Sequence, residues 1–317
     1  MSVFTDHNAR DNWLATDRDN LAFVFLNRFP NTPAHLLICT QDDSKDTVFE
    51  CTRDEIMALY RLSARVITAY EKNLKTDGYT IGWNIGEAAG RSIAHNHLHI
   101  APRFHWHNDQ HKIESARPGI AGLPFPAMKN SKFPYYGDQT FAVSYDKAVL
   151  RPWNNDQQAI PIVAQNRYAF AIEHPYPVTP GHLAILPRRR ALGFLQLSGR
   201  EFLGTVALAK TLAENISDIT HSTTINTYGL DHIIPQIIEG KAVDGVNLGW
   251  DIGEAAGQIG QTLYAHFIPR RTGDITGPDK AGGLVQTLPD NKYLQALREG
   301  KTLKSADGYT VPLNFDI

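Results

Sequence analysis

Three histidines alternate along one short segment, at positions 95, 97 and 99 in the run AHNHLHIAPR. On a β-strand, side chains two residues apart point to the same face, so this spacing predicts a row of three imidazoles. A neutral imidazole is a free base near pH 7, and its neighbours can fix its tautomer or neutralise an anion. The spacing therefore predicts a nucleophilic site on a strand that ends near Pro102.

A segment of small residues, NIGEAAGRS, leads directly into the histidines. Its glycines and alanines let backbone N–H groups approach a phosphate closely. The same segment supplies an amide, a guanidinium and a hydroxyl group. It therefore predicts a phosphate-binding turn beside the nucleophile, formed by Asn84, Gly90, Arg91 and Ser92.

Two other interpretations of the histidines remain open. Alternating histidines also bind zinc when a third ligand comes from elsewhere in the chain, although a zinc site gives the glycine-rich turn no role. The nearby His105, His107 and His111 either form a metal site or, as we favour, lie solvated in a polar linker from about 104 to 138.

The segment before the histidines occurs twice. DGYTIGWNIGEAAGR begins at Asp77 and DGVNLGWDIGEAAGQ begins at Asp244, with ten of fifteen aligned residues identical. Further upstream, AFVFLNRFPNTPAHLLI and AFAIEHPYPVTPGHLAI also align, and the change in offset places 20 extra residues in the second copy at about 217–239. The second copy has Thr262, Tyr264 and His266 where the first has its three histidines, so one copy is intact and the other degenerate.

The same elements are predicted in both copies. Two short strands joined by a proline-containing turn precede a helix, and a strand, a glycine-rich turn and the histidine strand follow it. Thr52 with Glu55, and Ser198 with Glu201, match the capping box that begins a helix, and behind each box apolar residues recur at helical spacing, from Ile56 to Tyr70 and from Phe202 to Ile216. The pattern favours an α+β fold with an antiparallel sheet and helices on one face, in two units spanning 1–125 and 126–317.

Composition limits the class of protein. The 317 residues carry a net charge of −2, so a general affinity for nucleic acid is not expected. Cys39 and Cys51 are too few for a disulfide framework, which indicates a reducing compartment. The chain lacks an apolar run that would form a signal peptide or cross a bilayer. We expect a cytoplasmic protein without membrane or nucleic-acid partners.

These motifs resemble the histidine triad family, whose signature is His-x-His-x-His followed by apolar residues. NIGEAAGRSIAHNHLHIAPR is similar to the family pattern nearly throughout, and AFVFLNRFPNTPAH resembles its nucleotide-pocket segment, which ends in a further histidine, His35. The second copy is similar to the family at both ends. The resemblance implies an α+β unit that pairs about a two-fold axis, so we expect the two units to form an intramolecular pseudo-dimer within a monomer or homodimer.

The resemblance also implies a reaction. His97 would attack the α-phosphorus of a nucleoside phosphoramidate or a dinucleoside polyphosphate, so that the substrate is a purine nucleotide or a nucleotide conjugate. A nucleotidyl-histidine would form and be hydrolysed or passed to an acceptor. His99 and Ser92 would hold the phosphate oxygens, and His95 and His35 would act as tautomer and proton partners. The family requires no metal or other cofactor for this step. Asn27 stands where a ribose-binding Asp is common, and Arg91 stands where Gln is usual.

These comparisons favour a hydrolase with activity in the first unit alone. Two-unit transferases of the family carry Gln at the last triad position, where this chain has His99. A transferase or phosphorylase of the same chemistry is the alternative, and a non-catalytic nucleotide-binding protein is the rival from another class. The second unit is expected to be structural; otherwise it binds a nucleotide or phosphate through His182, Asp251, Gln258 and His266.

Overall fold

A computed structural model describes residues 4–5, 13–28, 30, 32, 34–74, 76–104, 142–144, 151–153, 162–174, 179, 181–215, 243–258, 262–272 and 317. The strands of the first copy are β1 (Trp13–Thr16), β2 (Ala22–Leu26), β3 (Leu36–Thr40), β4 (Gly78–Ile85) and β5 (His97–Arg103). Two short strands, β6 (Ala142–Ser144) and β7 (Arg151–Trp153), form a separate two-stranded sheet. The strands of the second copy are β8 (Ile162–Gln165), β9 (Ala169–Glu173), β10 (Leu183–Pro187), β11 (Gly245–Ile252) and β12 (Ala265–Arg270).

Ten of these strands form one antiparallel sheet in the order β1-β2-β3-β5-β4-β11-β12-β10-β9-β8. The corresponding strands of the two copies follow one another in the same order from either edge. The copies meet where β4 pairs with β11, from Tyr79 opposite Ile252 to Ile85 opposite Val246. Gly82 faces Gly249 near the middle of this seam, so the two halves share one continuous sheet.

Two helices cover one face of the sheet: α1 (Arg53–Asn73) and α2 (Gly199–Glu214). Both predicted capping boxes are confirmed. The Thr52 and Ser198 side chains accept the backbone N–H groups of Glu55 and Glu201, whose carboxylates accept the cap N–H groups in return. Losing such a cap costs about 1 kcal/mol. The predicted periodicity is also confirmed within the described residues, because the buried helix positions include Ile56, Leu59, Val66, Ile67, Tyr70, Phe202, Val206, Ala209 and Leu212.

The apolar core lies between the helices and the sheet and runs across both copies. The Phe202 ring of α2 stacks on Trp250 at 5.4 Å and lies 6.0 Å from Trp83, which belongs to the first copy. The Tyr60 hydroxyl of α1 donates a hydrogen bond to the Leu197 carbonyl oxygen of the second copy. Antiparallel strands with helices on one face agree with the predicted fold class.

Several predicted features lie outside the described residues: the linker beyond Phe104, with His105, His107 and His111, and the insertion at 217–239. Neither helix in the described part of the chain combines the length and apolar character that a bilayer crossing requires.

Candidate functional site

The sheet face opposite the helices carries the histidines. In β5, His97 lies opposite Cys39 of β3, and His99 lies between Leu37 of β3 and Gly82 of β4. Strand alternation sends Leu98 and Ile100 into the core beneath α1 and leaves His97 and His99 together on the other face, with ring centroids 5.0 Å apart. This register brings the two predicted residues into one site.

His95 departs from the predicted strand. The pairing of β3 with β5 ends at Cys39 opposite His97, and the backbone N–H of Asn96 donates to the Lys45 carbonyl oxygen in a loop. The prediction of three histidines in a row on a strand is therefore wrong at its first position. His95 is held by its own hydrogen bond, from Nε2 to the Thr40 carbonyl oxygen at 2.8 Å.

The hydrogen bond of His97 fixes its tautomer. Its Nδ1 lies 2.6 Å from the His95 carbonyl oxygen, and since a carbonyl oxygen only accepts, Nδ1 carries the proton. The neutral ring therefore has its lone pair on Nε2. Burial lowers the pKa of His97 to about 4, so the ring is a free base near neutral pH. The side chain has the protonation state that a nucleophile requires.

A second series of hydrogen bonds runs from Asn27 through His35 to His99. The Asn27 amide Nδ2 donates to Nδ1 of His35 at 3.2 Å, and His35 Nε2 faces His99 Nδ1 at 3.1 Å. With His35 donating from Nε2, the neutral His99 ring carries its proton on Nε2. Burial lowers the pKa of His35 to about 3 and that of His99 well below its usual value. Within the described residues, His99 Nε2 is buried and has no hydrogen-bond partner, so the site presents an unused donor beside His97.

The glycine-rich turn connects β4 with the histidines. Gly86 and Gly90, with φ of 82° and 91°, flank a short 3-10 turn over Glu87–Ala89. Asn84 lies on the same sheet face as His99, because it follows Gly82 by two residues. Asn84 therefore shares the face of the histidines, and Gly90 ends the turn that follows it.

The two remaining turn residues occupy different environments. Arg91 forms an ion pair with Asp46 at 3.2 Å, and its charge contributes to the low pKa of His97. The Ser92 side chain is exposed, and the described residues include no hydrogen bond between it and the histidines.

The second copy repeats the chain of histidines without the nucleophile. His182 Nε2 lies 3.0 Å from His266 Nδ1, as His35 does from His99. Tyr264 occupies the position of His97, and the Asp251 carboxylate lies 3.6 Å from His266 Nε2, where the first copy has Asn84. Gln258 fills its own turn, since its Oε1 accepts the Gly253 N–H at 2.7 Å. This site presents a carboxylate where the first presents an amide.

One group of possible metal ligands is found among the described residues, and it lies in the second copy. The ligand nitrogens of His174, His182 and His266 are within 4.8 Å of one another. The His174 and His182 rings, however, stack nearly parallel, with centroids 4.1 Å apart and planes at 6°. A metal ion lies close to the plane of each imidazole that binds it, so two stacked rings do not suit one shared ion.

Three neighbours of the two sites were missed by sequence reasoning. Phe4 packs its ring 5.6 Å from both His95 and His97, Thr40 anchors His95 through its backbone, and His174 stacks on His182. Phe4 and Thr40 carry no motif. His174 stands at the position of Asn27 in the repeat, which was the available signal.

Comparisons with known proteins identify the family that the first copy resembles. The HIT domain family model matches residues 14–106. An uncharacterised HIT-like protein of Saccharolobus solfataricus is 33% identical over 95 residues, which are 30% of this chain and 68% of that protein. Bis(5'-adenosyl)-triphosphatase of Dictyostelium discoideum is 31% identical over 102 residues, 31% of this chain and 68% of that protein.

A solved structure extends the likeness of fold beyond the first copy. An ADP-glucose phosphorylase from Arabidopsis thaliana, crystallised with bound ADP-glucose, aligns with 89% of this chain and 84% of its own, with a TM-score of 0.50 and 10% identity. At that identity the likeness concerns the fold alone.

Proposed function

The chain belongs to the HIT family, and from this premise we propose that it is a nucleotidyl hydrolase with His97 as its nucleophile. The observation that carries the proposal is the hydrogen bond from His97 Nδ1 to the His95 carbonyl oxygen. It leaves the lone pair on Nε2 of a ring that burial keeps neutral. The proposed substrates are nucleoside phosphoramidates and dinucleoside polyphosphates.

The reaction proceeds in two displacements. The His97 Nε2 lone pair attacks the α-phosphorus and forms an N–P bond, while the P–N or P–O bond breaks and the leaving group takes its electron pair and a proton from solvent. Water then attacks the same phosphorus and gives a proton to solvent, the N–P bond breaks with its electron pair returning to His97 Nε2, and a nucleoside monophosphate is released. The unused His99 Nε2–H donates to a phosphate oxygen as negative charge increases there, and Asn84, Gly90, Arg91 and Ser92 complete the phosphate-binding site.

An apolar surface beside His97 is the proposed base-binding pocket. Phe23, Phe25, Leu37 and Cys39 share the histidine face and form one buried cluster with Phe4. Cys39 lies directly opposite His97, so a nucleoside bound here has its α-phosphate near Nε2. Asn27, at the edge of this surface, is the proposed ribose contact. The similar bis(5'-adenosyl)-triphosphatase of Dictyostelium discoideum, which by its name acts on an adenosyl compound, favours an adenine nucleotide.

The second unit is proposed to be the structural half of an intramolecular pseudo-dimer, with the units spanning 1–125 and 126–317. The mirrored strand order and the shared core support this arrangement. Tyr264 is a poor nucleophile at its ordinary pKa of about 10, and the Asp251 carboxylate would repel a phosphate. We therefore assign turnover to the first unit alone.

A phosphorylase or nucleotidyltransferase is the second candidate, because transfer to phosphate or a sugar phosphate uses the same nucleotidyl-histidine. Its support is the fold shared with an ADP-glucose phosphorylase over most of the chain. His99 at the last triad position favours water as the acceptor, as argued from the sequence.

Adenosine phosphoramidate is the substrate that tests the proposal. Wild type is expected to release AMP and to form an acid-labile adenylyl-protein, and His97→Ala to do neither. Tyr264→Phe is the matched control in the second unit and should keep the wild-type rate. Equal release by wild type and His97→Ala would refute the enzyme proposal. If trapped adenylyl-enzyme passes AMP to added phosphate or hexose phosphate faster than to water, the transferase assignment replaces the hydrolase.

A further inference from the structure

A buried hydrogen-bond network crosses the seam from the second half into the phosphate-binding turn of the first. Asn247 of β11 lies opposite Asn84 of β4. Its Nδ2 donates to Asn84 Oδ1 at 2.7 Å and to the Ala89 carbonyl oxygen at 2.9 Å. The Arg270 Nε donates to Asn247 Oδ1 at 2.5 Å, so the Asn247 amide is fixed from both ends. All three side chains in this network are buried.

The network determines which way the Asn84 amide faces. Asn84 Oδ1 accepts the Asn247 hydrogen, so the group that Asn84 has left to offer a ligand is its NH2. A phosphate oxygen accepts hydrogen bonds and does not donate them when ionised, so this orientation suits an anion. The opposite orientation would present a carbonyl oxygen to the phosphate.

The corresponding network, from Thr80 of the first half toward the turn of the second half, makes fewer hydrogen bonds. Thr80 occupies the position of Asn247 in the repeat; its hydroxyl accepts from Arg103 Nε at 2.9 Å and donates to Asp251 Oδ1 at 3.0 Å. A hydroxyl group has one hydrogen and an amide NH2 has two. Thr80 therefore has no second hydrogen for the Ala256 carbonyl oxygen, the counterpart of Ala89. The side-chain restraint that each turn receives from across the seam is therefore asymmetric and favours the half that contains His97.

We propose that Asn247 is a positioning residue for the reaction in the first half: it orients the Asn84 amide and restrains the turn through Ala89. This inference rests on the proposed function and adds a reason for the second half to be retained. The degenerate unit supplies part of the phosphate-binding site of the intact one. Asn247 acts through Asn84 and the turn and is not itself a catalytic residue.

Asn247→Asp is the sharpest test in the full-length chain. The variant keeps the side chain's size and its acceptor for Arg270 but loses both donated hydrogens, and the Asn84 amide is expected to turn its NH2 toward the new carboxylate. We expect kcat/KM for adenosine phosphoramidate to fall about tenfold to a hundredfold, because one misdirected polar group costs that much at a developing charge. Thr80→Val, the matched control at the mirror position, should stay within about twofold of wild type.

A second readout does not depend on turnover. Backbone hydrogen exchange at residues 86–92 should accelerate in Asn247→Asp and in Asn247→Ala, while exchange at residues 253–258 stays as in wild type. The Ala variant serves if the Asp variant fails to fold.

Each outcome decides a separate point. If His97→Ala abolishes AMP release while neither Asn247 variant changes rate or exchange, the inference is overturned and the proposed function stands. Equal losses of activity in the Asn247 variants and in Thr80→Val would mean that the network only stabilises the pairing of β4 with β11. That result would also overturn the inference. If His97→Ala is fully active, the proposed function fails, and the exchange data still decide whether Asn247 restrains the turn.

Discussion

At the residue scale, the pKa of His97 would set the pH range of the proposed reaction. The proposed attack requires the neutral ring, and burial lowers the pKa of His97 to about 4. We expect kcat/KM for adenosine phosphoramidate to fall less than about twofold between pH 7 and pH 5. An imidazole with an ordinary pKa of about 6.5 would lose about 25-fold over this range. Initial rates after brief transfer to each pH test this, and an inflection near 6.5 would contradict it.

The proposed inactivity of the second site has more causes than the loss of a histidine. Tyr264→His alone, in a His97→Ala background, is expected to leave turnover undetectable. The Asp251 carboxylate still faces His266 at 3.6 Å, and Gln258 still occupies the Gly253 N–H. AMP release and adenylyl-protein formation are the measurements. Recovery to even a few per cent of the wild-type rate would mean that Tyr264 is the main block.

The sequence predicts the positions of some site residues better than those of others. His97 and His99 follow from alternation, because neighbouring strands fix their shared face. His95 could not be placed in the same way, since its position depends on a loop that contributes the Lys45 carbonyl oxygen. Asn247 was missed because it pairs in the repeat with Thr80, one of the aligned positions that differ. Its role depends on a seam between strands 163 residues apart.

At the element scale, local signals account for most of what the sequence predicted. The capping boxes and helical periodicity depend on residues within one or two turns, and both are confirmed. The pairing of β4 with β11 depends on contacts across the whole chain and has no local signal. Close glycine contacts allow it: a Cβ on Gly245 would lie 2.7 Å from the Ile85 carbonyl oxygen and 2.8 Å from the Ala89 nitrogen.

Gly245→Ala should therefore damage both the seam and the first turn. Its Cβ would meet backbone atoms, which do not move aside as a flexible side chain would, and such overpacking costs about 1–3 kcal/mol. We expect that loss in urea unfolding, together with reduced AMP release. Gly193→Ala is the control, since a Cβ there meets nothing within 4 Å. Equal free energies of unfolding for the two variants would show that β4 and β11 can move apart without loss of stability.

At the scale of the whole molecule, the two faces of one sheet carry different groups. The helix-covered face carries a core that both halves share, and the opposite face carries two buried groups of histidines. Burial favours the neutral form of six of these histidines in the folded state, four in the first copy and two in the second: His35, His95, His97, His99, His182 and His266.

The consequence is a loss of stability in mild acid. Burial lowers the pKa values of His35, His95, His97, His99, His182 and His266. The unfolded chain binds protons at these residues as the pH falls below about 6.5, while the folded chain does not until about pH 4 at His97 and about pH 3 at His35. Each such histidine removes up to about 1.4 kcal/mol of unfolding free energy per pH unit within that window and has no effect well above it.

Urea unfolding at pH 8, 6.5 and 5.5 measures this loss. We expect the free energy of unfolding to fall by up to about 2 kcal/mol between the first two values, because histidines of the unfolded chain are half protonated at pH 6.5. A steeper fall is expected at the third value, steeper than carboxylates would produce, because those with lowered pKa values, Asp17, Asp42 and Glu201, respond only at lower pH. The double variant His182→Gln/His266→Gln is the control for the second half and should show a shallower fall. A free energy of unfolding that stays constant from pH 7 to 5.5 would mean that the buried histidines are protonated in the folded protein, and would also remove the basis for a neutral His97.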